Sequence, residues 1–113
     1  MNVQSSLPVE VHSAVSNAWL NKYAADKNAV HECNNRDNPQ DSIAQNRVQR
    51  VRGIMVAYNT DGTSTSAVVR GFLWGENTKD TDDYTLNVNT IYPIAFKRIY
   101  AQGTTARGIK IFG

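Results

Sequence analysis

The chain has 113 residues, of which 41 % are hydrophobic and 19 % charged, with twelve basic against ten acidic side chains and a net charge of +2. That length supports one small domain, and so modest a charge does not make a polyanion the expected partner. No apolar run approaches the roughly 20 residues of a membrane helix, and no basic segment followed by an apolar stretch marks a secretory signal after Met1. The single cysteine, Cys33, excludes an internal disulfide.

In chain order, the first predicted element is helical. Val11, Ala14, Val15, Ala18, Trp19 and Tyr23 fall at spacings of three and four, which predicts one apolar stripe on a helix over about 11–25. Pro8 stands before it, at or near a first turn. Such a stripe either packs on its own domain or docks on a neighbouring subunit. Residues 34–46, NNRDNPQDSIAQN, are polar and interrupted by Pro39, and read as a loop or linker. Charge divides near the same place. Residues 1–46 hold three basic and five acidic side chains, residues 47–113 nine and five.

Downstream the period becomes two. Val51–Tyr58 (VRGIMVAY), Ala67–Trp74 (AVVRGFLW), Tyr84–Val88 (YTLNV), Ile91–Tyr100 (IYPIAFKRIY) and Arg107–Phe112 (RGIKIF) are rich in β-branched and aromatic residues. Turn chemistry separates them: Asn59-Thr60-Asp61-Gly62, Gly75-Glu76-Asn77-Thr78, Asn87-Val88-Asn89-Thr90 and Gln102-Gly103-Thr104-Thr105. Pro93, lacking an N–H, belongs at an edge, a bulge or a strand start. Alternation places Tyr92, Ile94, Phe96, Arg98 and Tyr100 on one face of their strand, with Ile91, Ala95 and Ile99 on the other. It also sets Lys97 and Arg98 on opposite faces, so one of them needs a surface, an interface or a partner charge. Five short strands at regular spacing predict an all-β fold, a small β-sandwich or barrel over 47–113, with 1–46 as an N-terminal helical or extended arm.

Catalytic constellations do not assemble on this text. Both histidines, His12 and His31, lie in the arm, and there is no Gly-x-Ser-x-Gly elbow. His31-Glu32-Cys33 is a fragment of a metal motif without a second pair of ligands. Asp80, Asp82 and Asp83 sit among Thr and Lys as a solvated hairpin tip, short of the oxygen ligands and turn glycine of a calcium loop. Neither GxxxxGK[ST] nor GxGxxG occurs. Arg47, Arg50 and Arg52 open the first strand of the β-region. They could meet phosphates, but without interleaved aromatics they read as a strand end that is solvated or faces acidic groups of a neighbour. No enzyme activity, cofactor or metal is expected.

The text from Ile91 to Ile109 resembles the C-terminal end of small virion proteins of tailed bacteriophages and gene transfer agents. Pro93, Lys97, Arg98, Ala101, Gly103, Thr104, Thr105, Ala106 and Ile109 stand at the matching positions of a Lys-Arg strand followed by a Gly-Thr-Thr-Ala turn. Gly71, Leu73, Trp74 and Gly75 loosely match a second strand of the same family. The resemblance covers the last 45 to 60 residues and is well matched over the final 20; the arm has no counterpart in it. It implies a structural component of the virion, of the head-spike base or capsid decoration (cement) type. Such a part is held by multivalent contacts with capsid or spike and fibre subunits and forms a homo-oligomer of closed symmetry. Membrane and nucleic acid are not the expected partners. The side chains expected to carry these contacts are Val11, Val15, Trp19, Tyr23, Arg50, Arg52, Trp74, Tyr92, Lys97, Arg98 and Tyr100, since aromatic residues and Arg dominate interface hot spots. Two other readings fit the same text. One is a carbohydrate- or host-surface-binding β-module with Trp74 and Tyr92 lining a shallow groove. The other is a head–tail or tail-fibre adaptor.

Overall fold

The computed structural model describes residues 11–33, 52–74 and 81–113. The polar stretch 34–46, Arg47, Arg50, Asp80 and the turn after Trp74 lie outside them. Within them the β-branched and aromatic runs form strands, and the order is β1 (Val11–Val15), α1 (Asn17–Lys22), β2 (Val30–Glu32), β3 (Gly53–Met55), β4 (Tyr58–Asn59), β5 (Ser66–Leu73), β6 (Asp82–Asn87), β7 (Phe96–Tyr100), β8 (Ala106–Arg107) and β9 (Ile109–Phe112). They pair antiparallel into three sheets, β1-β9-β3, β2-β7-β5-β6 and β4-β8. The chain is an all-β protein with a single short helix among the described residues.

Two of these sheets belong to one ladder. Met55 faces Lys110 and Tyr58 faces Arg107, so β3 and β4 run against β9 and β8 in an unbroken register. Gly108, at φ +64, interrupts the strand where a Cβ would press on Ala57. Strands β5, β6 and β7 of the other sheet send side chains toward one shared cluster. Val15, Ile54, Ile109 and Ile111 meet Ala67, Val69, Leu86, Phe96 and Ile99, with Leu20 of the helix and Ala106 included. Tyr84 packs its ring edge-on to Phe96, centroids 5.1 Å apart. Full burial of each large aliphatic or aromatic side chain contributes about 1.5–3 kcal/mol, so this cluster dominates the stabilising side of the fold.

The helix expected over 11–25 is corrected. Residues 11–15 are a strand, and only 17–22 are helical. Val-His-Ser-Ala-Val is a weak helix former, and the edge of β9 offers it a ladder, Val15 opposite Ile109 and Ser13 opposite Ile111. Ser13 and Val15 are buried and Ala14 is exposed. The alternation was hidden by a serine at an apolar position. Ser16 then caps the helix, its hydroxyl accepting from the Trp19 N–H at 3.2 Å. Because the helix begins at 17, its buried residue is Leu20, outside the stripe read from the sequence.

Regular alternation also fails in β7. A bulge opposite Phe72 and Leu73 shifts the register, and both Phe96 and Ile99 point into the core. Pro93 is exposed and precedes this strand; the chain before it makes a single bridge, Tyr92 with Ile54.

Candidate functional site

The Gly-Thr-Thr-Ala turn between β7 and β8 is the most heavily bonded polar feature of the described structure. Gly103 adopts φ +88, a left-handed conformation, and the Arg70 guanidinium occupies the space a Cβ would need. Thr104 Oγ1 accepts from the Arg70 N–H at 3.0 Å and donates to the Tyr100 carbonyl at 2.6 Å. The hydroxyl is thus inserted between two strands whose backbone groups would otherwise pair directly. Thr105 accepts from the Val68 N–H through Oγ1 at 2.9 Å, and its own N–H donates to the Val68 carbonyl at 2.9 Å. The sequence marked Gln102-Gly103-Thr104-Thr105 as a turn. The structure adds that its two threonines bond to β5, extending the β5 ladder past the end of β7.

Helix α1 holds the other side of this turn. Asn17 and Asn21, one helical turn apart, share a face. Asn17 Oδ1 accepts from the Gly108 N–H at 2.8 Å, and its Nδ2 donates to the Tyr58 hydroxyl at 3.0 Å. Asn21 Oδ1 accepts from Arg107 Nε at 2.9 Å. Arg107 Nη1 donates to the carbonyls of Thr104 (3.0 Å) and Ala106 (2.8 Å). Arg107 is buried, and desolvation lowers its pKa, opposed in part by the nearby Tyr58 hydroxyl. None of Asn17, Asn21, Thr105 or Arg107 was singled out from the sequence as a site residue. The one signal that could have found the asparagines is their spacing of four on a capped helix.

A second constellation lies on the face of the β2-β7-β5-β6 sheet that is turned away from the core. Glu32, Arg98 and Phe72 stand side by side on β2, β7 and β5. Arg98 Nε is 2.5 Å from Glu32 Oε2, and its guanidinium lies 5.7 Å from the Phe72 ring centroid. Phe72 is fully buried yet outside the main core cluster, with the Tyr100 ring 6.4 Å away. In the next row Arg70 makes a two-pronged pair with Asp83, Nε to Oδ1 at 2.7 Å and Nη2 to Oδ2 at 3.2 Å. The hydrogen bond from Arg70 holds the Asp83 carboxyl below its ordinary range. Asp83 is therefore a strand residue with a partner, where the sequence suggested a solvated tip.

The expected contact residues separate into groups. Val15 is consumed by the chain's own core, and Trp19 and Tyr23 pack against it. Of the two readings of this stripe, packing on its own domain is the one these contacts show within the chain. Their rings are 6.2 Å apart, Trp19 is also 6.2 Å from the His31 ring, and Lys22 Nζ lies 5.4 Å from the Tyr23 centroid. Lys97 and Arg98 both find partners within the chain, Lys97 Nζ lying 5.1 Å from the Trp74 ring centroid. Tyr92 is half-buried, its hydroxyl accepting from the Asn87 N–H at 2.9 Å. Arg52 is exposed, Val11 contributes its backbone to β1, and Arg50 lies outside the described residues. β7 lies between β2 and β5 and β9 between β1 and β3, so each is paired on both edges within the chain, and the two belong to different sheets and form no hairpin with each other.

Among the large hydrophobic side chains of the described residues, Trp74 (40 %), Tyr58 (45 %) and Ile91 (45 %) are the exposed ones. Cys33 is fully buried, and burial pushes its thiol pKa up. Among the described residues no group of three or more His, Cys, Asp or Glu side chains is placed to hold a metal ion, and no helix is long and apolar enough to cross a membrane. No family model, curated protein or solved structure matches the chain.

Proposed function

We propose that this chain is a non-enzymatic structural component of a tailed-phage-like virion, of the capsid-decoration or head-spike-base type. It is held in place by many weak subunit contacts. The observation that carries the reading is how its side chains are spent. The polar groups of the turn and sheet faces, Thr104, Thr105, Arg107, Asn17, Asn21, Arg70, Asp83, Glu32 and Arg98, are spent on backbone groups or on one another, by hydrogen bonds or ion pairs, and fix the frame. Among the described residues, the large hydrophobic side chains left outward are Trp74, Tyr58 and Ile91. A rigid frame with a few outward aromatics suits docking, where preformed geometry lowers the cost of association. The sequence resemblance from Pro93 to Ile109 points the same way. On a symmetric particle, many copies convert weak contacts into firm attachment.

The test is size-exclusion chromatography with light scattering on the purified chain, followed by co-sedimentation with capsid or portal protein. A defined homo-oligomer, or capture by the particle that is lost in Trp74→Ala, supports the reading. A monodisperse monomer that binds neither overturns it. The carbohydrate-binding alternative is weakened by one contact. The Lys97 ammonium lies against the Trp74 ring on which a sugar would stack.

A further inference from the structure

Ser13 fills a core-facing position of β1. It stands opposite Ile111, shares its strand face with Val15, and is 2 % exposed. Its Oγ is buried and has no hydrogen-bond partner among the described residues. A hydroxyl buried without a partner is destabilising, and the effect ends as soon as water reaches it. The rest of β1 is attached as a strand that can leave by itself. It lies at a sheet edge, paired with β9 alone, and a register shift between Val11 and Ser13 interrupts that ladder. Among the described residues, Val15 is the β1 side chain that joins the main cluster. By contrast, the edge strand β6 keeps an unbroken register with β5 from Asp82 to Asn87 and sends both Tyr84 and Leu86 to the cluster. The neighbours of β1 are held independently of it. β9 keeps β3 on its other edge, Ile54 opposite Ile111 and Met55 opposite Lys110. Helix α1 is anchored by Leu20 in the core and by Asn17 and Asn21 on Gly108 and Arg107.

We propose that β1 is a releasable strand, which opens from β9 while the rest of the fold stays closed, and that the unpartnered Ser13 hydroxyl sets how often it opens. The boundary is Ser16, the cap of α1, because everything after it is fixed by contacts that do not involve β1. Opening hydrates Ser13 and gives up the β1–β9 ladder and the burial of Val15. It is thus a local equilibrium that lies below global unfolding. The open state turns β9 from an inner strand into an edge strand, the position at which an extended segment of another chain adds to a sheet. The device stands on β1, β9 and α1 and does not depend on the virion reading.

The experiment is native-state hydrogen exchange of the full chain, read amide by amide by NMR. The β1 amides are expected to be protected, yet to exchange about 100-fold or more faster than those of the β5–β7 ladder. Ser13→Ala removes the stranded hydroxyl and is expected to slow β1 exchange about tenfold. Leu86→Val supplies the control. It thins the core at β6, so it speeds exchange in the β5–β7 ladder and leaves β1 exchange unchanged, because β6 stays folded when β1 opens. Four results each overturn the proposal. They are β1 amides as slow as the β5–β7 ladder, β1 amides as fast as an unfolded chain, β1 exchange that follows the ladder in Leu86→Val, and β1 exchange in Ser13→Ala no slower than in the parent.

Discussion

Replacing Thr104 by Val keeps the shape of the side chain and removes one oxygen. That oxygen sits between the Arg70 N–H (3.0 Å) and the Tyr100 carbonyl (2.6 Å), on a residue 5 % exposed. The substitution strands a donor that water reaches poorly, and a buried unsatisfied backbone group costs about 1–3 kcal/mol. The Tyr100 carbonyl loses a donor at the same time. A loss of about 2 kcal/mol follows, most of it from the Arg70 N–H. At roughly 4 °C per kcal/mol for a domain of this size, the thermal midpoint falls by about 8 °C. Urea unfolding reads the same change as a lower midpoint with an unchanged slope. Thr104→Ser restores the hydroxyl and loses only a methyl group, so it recovers more than half of the deficit. If Thr104→Val unfolds within about 0.5 kcal/mol of the parent, the inserted hydroxyl is not what joins β5 to the turn, and the reasoning fails.

Gly103→Ala is expected to cost more than Thr104→Ser, because φ +88 and the Arg70 guanidinium both oppose a Cβ; a midpoint within 2 °C of the parent, roughly 0.5 kcal/mol, contradicts it. The Cys33 thiol, fully buried with its pKa raised by desolvation, is expected to resist a thiol reagent in the native chain and to react once urea unfolds it; rapid native labelling refutes this. Asp61 is held below the usual carboxylate range, first by the Ser64 hydroxyl and then by the N–H groups of Ser64 and Thr63. A depressed folded-state pKa contributes stability that is complete above the unfolded value of roughly 3.9 and is lost as pH falls through the folded one. Asp61→Asn is therefore expected to flatten the acid limb of a stability–pH profile below about pH 4 and to leave its neutral-to-alkaline slope unchanged. An identical acid limb in the variant refutes it.

The sequence alone determined the β-character of the second half of the chain. Period-two alternation in β-branched residues is a local property, and so is the demand of Gly103 for a turn. It also marked Lys97 and Arg98 as charges in need of company. Tertiary structure decided the partners. Val11–Val15 is a strand because β9 has an edge to give it, and no helical spacing in VHSAV reports that edge. The stripe residues Val15, Trp19 and Tyr23 met their own core for the same reason. The bulge at Lys97 placed Phe96 and Ile99 together, which strict alternation forbids. Asn17 and Asn21 became anchors for Arg107 and Gly108 across 86 and 91 residues of chain. A hydrogen bond at that separation leaves no periodic trace in the sequence, because its geometry exists only after both segments have packed.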